Sequence, residues 1–333
     1  MSVQISTPSR ERRRTLEQHQ VVLLMVALLF GAFAVGLPAF RTPHNLVTLL
    51  RNICVLGILG VGMGVVVIAR GIDLSQVVIM AVSSAYAVRL MNHHGLGEAP
   101  ALLLGLVVAV ALGLINGFLV DFVEIPALFA TLATYLLYFN GARTMALPSL
   151  IEDVPHRARH LLYLGHGNVL GVPVPILVFA AVALATHLTL TRTALGRFIY
   201  AHGDNPDAAG ITGIPTRPLT MLEYAFSALV AYVAGLVQAG SIASVDTHVA
   251  LGTLIFSVIL VVVLGGISLV GGRGGVHSVI VGALLVGVMV NGMTLMNLAN
   301  DIQGIVLGLV LLGAILLDNR LHPRDEETVK QGD

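Results

Sequence analysis

Ten apolar stretches, almost free of charge, decide what this chain can fold into. They cover residues 21–40, 46–69, 72–91, 101–120, 125–147, 172–190, 219–241, 250–269, 276–298 and 302–317. A helix needs about 20 apolar residues to cross the roughly 30 Å hydrocarbon core of a bilayer. Inside lipid, each backbone N–H and C=O must be satisfied within its own segment, which selects helices. The chain is therefore read as all-α and polytopic, with about 8 to 10 transmembrane helices of the length lipid demands. The last stretch is short, and the one after Gly71 can be partly re-entrant. The balance of 56% apolar to 11% charged residues fits this reading, since soluble domains carry about 25% charged residues. A formal net charge of zero offers no basic surface to nucleic acid, which leaves lipid as the surrounding medium. The single cysteine, Cys54, excludes a disulfide framework and reads as small core filler.

Charge sets the orientation. The first stretch is too long for a cleavable leader and follows Arg10, Arg12, Arg13 and Arg14, so it reads as a retained span. With the N-terminus inside, those four join Arg70, Arg192, Arg197, Arg217, Arg273, Arg320, Arg324 and Lys330 on the cytoplasmic side. Arg41, Arg51, Arg89, Arg143, Arg157 and Arg159 fall outside. The positive-inside rule then places both termini in the cytoplasm. Residues 1–20 and 319–333 become cytoplasmic tails of one transmembrane domain, 21–318, with 148–171 as an outward loop. The outward histidines His156, His160 and His166 lack the spacing of a tight metal site.

The cytoplasmic loop 192–217 carries a helix signature: Asn205 as cap, Pro206 at the first position, Asp207, then Ala208-Ala209 and a stop at Gly210. Such a helix outside the bilayer is either a plain connection or a docking element for a soluble partner.

Ionisable groups within the spans are few. Asp73 sits at the junction of two spans, and Glu223 lies close enough to the cytoplasmic end of its span to reach the interface. Asn116, Asn140, Asn291, Gln238, Thr131, Thr134, Tyr135 and Tyr138 are neutral polar groups that either bind helices together or line a passage. Asp73, Asn116, Thr131, Thr134 and Asn291 are the candidates to line or gate a pathway. Glycines 57, 60, 62 and 64 predict close helix packing, whereas the pairs at 265–266, 271–272 and 274–275 predict broken helix. Phosphate-cradling loops, nucleophile elbows and buried acid relays are all missing, so the chain reads as a pore without catalysis whose energy comes from elsewhere. A stand-alone facilitator, an ion-coupled carrier or a structural membrane protein stays open on these residues alone.

A set of motifs in fixed order narrows the choice. They are Gly71-Ile72-Asp73-Leu74-Ser75, Gly113-Leu114-Ile115-Asn116-Gly117, Ile125-Pro126-Ala127 leading to Thr131-Leu132-Ala133-Thr134, and Thr193-Ala194-Leu195-Gly196-Arg197. Gly203-Asp204-Asn205 with Ala208-Ala209, Gly265-Gly266-Ile267-Ser268 and Asn291-Gly292 complete the set. In this order the chain resembles the permease subunits of bacterial ABC importers for ribose, other monosaccharides and autoinducer-type sugars. The resemblance implies an inner-membrane pore subunit paired with a second copy or a paralogue. It implies two further partners, an ABC-type ATPase that uses ATP and Mg and a periplasmic sugar-binding protein, and no cofactor bound by this chain. It assigns ATPase coupling to Leu195, Gly196, Arg197, Gly203, Asp204, Asn205, Pro206, Ala208, Ala209 and Gly213. Ser75, Pro126, Gly265 and Gly266 join the pathway candidates. The chain departs from the pattern at Arg70, where the resembled permeases carry glycine, and at Gln76, Glu124, Asn140 and 254–257.

Overall fold

The structure, a computed structural model, describes residues 18–321. Most of the two expected tails, with the Arg10–Arg14 cluster, lies outside the described residues. The helices are α1 (Gln18–Gly36), α2 (Pro43–Ile68), α3 (Gln76–His94), α4 (Glu98–Asp121), α5 (Ala127–Met145), α6 (Arg159–His166), α7 (Val174–Arg192), α8 (Ala194–Asp204), α9 (Pro206–Ile211), α10 (Thr216–Ile242), α11 (Leu254–Gly265), α12 (Val276–Leu295) and α13 (Asn300–Leu321). Among the described residues, α2, α4, α7, α10 and α12 are long and apolar enough to cross a membrane by length and composition.

Helix α2 is the axis of the bundle. Thr42 caps it, its hydroxyl accepting from the Asn45 N–H at 3.3 Å, and Pro43 occupies the first turn, where no donor is needed. Its glycines face different neighbours. A Cβ on Gly57 would strike the Phe179 ring of α7; on Gly60, Val261 of α11 and Val279 of α12; on Gly62, Gln76 of α3 and Ser227 of α10. Missing side chains on several faces let one helix touch the bundle all round, as lipid-embedded packing requires. Helix α4 packs on α10 by the same means, with Gly113 and Gly117 against the backbone of Tyr224, Ala225 and Met221.

Two expected spans are interrupted. Residues 69–75 are turns and irregular backbone rather than helix, and α3 begins only at Gln76. The Gln76 amide donates to the Leu59 carbonyl at 3.0 Å. Leu59 precedes the end of α2 at Ile68 by nine residues, about 13 Å at 1.5 Å per residue. The chain therefore leaves α2, folds back into the bundle and starts α3 at depth. Helix α11, within the stretch expected as a span over 250–269, has 12 residues and is about 18 Å long, too short to cross. It ends at Gly266 (φ 97°) in a loop where Gly271, Gly272 and Gly274 also have positive φ. This left-handed backbone, open chiefly to glycine, ends the helix early.

The other expectations meet at the two ends of the bundle. Strand β1 (Ile151–Asp153) pairs antiparallel with β4 (Ser244–Asp246), joining two loops that the arginine count places outside. A two-residue pair, β2 (Asn168–Val169) with β3 (Val172–Pro173), lies in the same outward loop. His160, from the loop read as lacking a metal site, contacts the Glu98 carboxylate at 2.9 Å. At the opposite end the Gly272 N–H donates to the Ile68 carbonyl at 2.8 Å, and Gly203 lies against the same two groups.

Arg70, the departure from glycine, has φ 72°. Left-handed backbone costs a side-chain-bearing residue about 1–3 kcal/mol. Arg70→Gly is expected to stabilise the protein by about 1 kcal/mol, read from thermal unfolding in detergent. Arg70→Ala keeps the strain and should not stabilise.

Candidate functional site

Asp73 lies at the foot of the re-entrant segment, fully buried. Its Oδ1 accepts from the Ser75 N–H (3.1 Å) and Ser75 Oγ (2.7 Å), and its Oδ2 from Ser227 Oγ of α10 (2.9 Å). Asn116 of α4 donates to Ser75 Oγ at 2.7 Å, and Tyr138 of α5 donates to Asn116 Oδ1 at 3.0 Å. Gln76 also donates to Ser227 Oγ at 3.1 Å. Thr131 donates to the Ile72 carbonyl at 3.2 Å and to Ala127, while Thr134 donates to the Thr131 carbonyl. Five of the pathway candidates, Asp73, Ser75, Asn116, Thr131 and Thr134, thus form one hydrogen-bonded junction. It pins the broken segment to α2, α4, α5 and α10. A carboxyl with three donors to its two oxygens is a structural acceptor rather than a free carrier.

The remaining pathway candidates lie elsewhere. Pro126 opens α5, its carbonyl accepting from Phe129 and Ala130. Gly265 lets α11 meet α12 at the Ser278 carbonyl, and Gly266 carries the left-handed turn. Asn291 exchanges amide hydrogen bonds with Asn45 at 3.0 and 3.1 Å, joining α12 to α2.

None of these residues lines the cavity of about 750 Å³ that opens near β4. That cavity runs inward from the β4 end and reaches Met80, one helical turn along α3 from Gln76. Its walls carry Arg51, Asn52, Ser84, Gln238, Asp246 and Asp301. The Arg51 Nε is buried without a hydrogen-bond partner among the described residues. Amides, a guanidinium and carboxylates around one space offer donors and acceptors to a small polar solute. Sequence reasoning singled out only Gln238 among these residues. Arg51 and Asn52 follow one another within an otherwise apolar stretch, and that break in the pattern is the signal that could have found them.

At the other end, segment 192–217 folds as α8 and α9. The Thr193 hydroxyl caps α8, accepting from the Gly196 N–H at 3.2 Å. Asn205 caps α9, accepting from the Ala208 N–H at 3.0 Å, with Pro206 at its first position. Helix α9 runs on through Gly210 to Ile211. The stop comes at Gly213 (φ 87°), where Gly213 and Ile214 N–H return to the carbonyls of Gly210 and Ala209. Gly196 is pressed on the Leu190 carbonyl, and a Cβ on Gly203 would lie 1.8 Å from the Ile68 carbonyl. Asp204 abuts Gly272, and Ala209 is buried. Arg197 is exposed, as are the apolar side chains of Leu195, Phe198 and Ile211, the last by 88%. His202 is buried on the inner face of α8. Burial holds its imidazole below the ordinary range, opposed by nearby Asp121 and reinforced by Arg70, so it is neutral at pH 7. Glu223, read as reaching the interface, is instead 3% exposed, because α10 is packed along its length against α4 and α2.

Residues 45–315 match the family model described as the permease component of the branched-chain amino acid transport system. The ribose import permease protein of Escherichia coli is 31% identical over 312 residues, 92% of this chain and 94% of its own. The fructose import permease protein of Rhizobium meliloti is 31% identical over 80% of this chain and 75% of its own. The galactofuranose transporter permease protein of Escherichia coli is 32% identical, covering 84% and 83%. No solved structure matches the chain. These full-length similarities favour an import permease over a stand-alone carrier. The protein is a multi-pass membrane permease subunit and belongs to the family of branched-chain amino acid transport system permease components.

Proposed function

We propose that this chain is the pore subunit of an ATP-driven importer for a monosaccharide or similar small polyol. It sits in the cell inner membrane with both termini in the cytoplasm, paired with a second copy or a paralogue. A periplasmic binding protein delivers the solute to the β4 end, and a separate ATPase, using ATP and Mg, docks on α8 and α9. The cavity of about 750 Å³ is the observation that carries this reading. Its size suits a small solute, and its amide and guanidinium walls suit hydroxyl groups. Sugars are also what the names of the similar permeases specify. The apolar side chains of Leu195, Phe198 and Ile211, exposed at the far end, support a docked partner.

The test is uptake of labelled ribose, fructose and galactofuranose into proteoliposomes holding the chain, its ATPase and its binding protein. Uptake of at least one sugar should require ATP and both partners. Undiminished uptake without the ATPase would overturn the proposal. Gln238→Leu removes one hydrogen-bonding group from the cavity and should lower uptake about tenfold, with ATPase coupling retained.

A further inference from the structure

A second cavity, of about 180 Å³, lies between α7, α8 and α10, beneath the docking helices. Val65, Leu190, Ile199, Leu219 and Phe226 make half of its wall. Its threonines, Thr186 and Thr189, already donate to carbonyls of their own helix. Glu223 also lines it, and the Glu223 Oε1 is buried with no hydrogen-bond partner among the described residues. Leu195 and Leu222 belong to the same lining and are exposed, by 36% and 53%, so the cavity has a rim on the outer surface of the bundle.

A buried polar atom without a partner is costly and calls for a complement. Water is a poor one, since it needs two to four polar partners and this space is almost wholly apolar. The size excludes most alternatives. An apolar cavity of roughly 150 Å³ holds one benzene ring, so this one takes a ring or short chain with a single substituent. An occupant that satisfies Glu223 must bring a hydrogen-bonding group on an apolar body.

We propose that this cavity binds a small membrane-dissolved amphiphile, an apolar body bearing one hydroxyl or amine that pairs with Glu223. The site is distinct from the solute cavity at the other end of the bundle, and the proposal does not depend on the identity of the transported solute. Ile199 and Leu195 form its α8 wall, so occupancy braces the helix on which the partner is proposed to dock.

The chain contains no tryptophan, which makes an engineered one a unique reporter. Leu222→Trp places it at the rim. In nanodiscs, quenching of this fluorescence by 3-bromobenzyl alcohol is compared with quenching by bromobenzene, both expressed per mole of lipid. The alcohol should reach half-quenching at about a tenfold lower concentration, the order a single hydrogen bond supplies. Adding Glu223→Leu should bring the two probes to the same concentration. Equal quenching before that change, or an unaltered preference after it, overturns the proposal. Should Glu223→Leu fail to insert, Leu219→Phe fills the cavity while keeping Glu223 and should erase the preference. Survival of the preference in Leu219→Phe overturns the proposal as well.

Discussion

Gly203→Val is expected to cut ATP-driven uptake by at least about 100-fold while leaving the protein inserted. A Cβ at this position would sit 1.8 Å from the Ile68 carbonyl and 2.8 Å from the Gly272 nitrogen, both backbone atoms that cannot swing away. Something must shift by an ångström or more, and the element free to shift is the end of α8, together with α9 beyond it. Misplacement on that scale is enough to cost two orders of magnitude in a process that depends on alignment. The joint touches α2 only at its last residue, Ile68, so membrane insertion should survive. The measurement is paired, with sugar uptake and ATP hydrolysis followed in the same proteoliposomes. Loss of uptake with hydrolysis retained marks uncoupling, and full uptake would show that the α8–α2 contact is dispensable. Ile211→Asp serves as a complementary variant, because it alters the proposed docking face at a side chain that is 88% exposed.

The second large effect is on stability. Asp73→Ala should destabilise the fold by about 3 kcal/mol or more, because three hydrogen bonds lose their acceptor and a void opens. Ser227→Ala removes a single donor to that carboxyl and should cost much less, about 0.6 to 1.7 kcal/mol by the range found for hydrogen bonds between transmembrane helices. Unfolding in mixed micelles, followed by loss of helical signal, separates the two. Equal effects of the two variants would mean that the junction does not depend on Asp73.

Much of the architecture was legible before the structure because lipid imposes strict local rules. Apolar length located the helices, and Asn205-Pro206 announced α9 through capping chemistry that involves only four residues. The glycines of α2 signalled close contact, although not which helix each one meets. The depth at which α3 begins was not legible, because it depends on Gln76 reaching Leu59 on another helix. Glu223 misled for a related reason. Nearness to a span end in sequence suggests water, yet neighbouring helices cover that end of α10. The candidate site was legible in part. Asp73, Ser75, Asn116, Thr131 and Thr134 do come together, but as a junction beneath the cavity floor. The cavity itself draws on helices spread from Arg51 to Asp301, and no local pattern ties those residues to each other.

The junction at Asp73 also has a consequence for how the protein is made. Ser227 follows Asp73 by 154 residues. At ribosomal rates of 5–20 residues per second, Asp73 waits about 8 to 30 s before its partner on α10 has been synthesised. During that interval Ser75, two residues away, is the donor that local sequence supplies to the carboxyl. Two of the three donors to the Asp73 carboxyl are thus encoded within the re-entrant segment itself, and only the third has to wait for a later helix.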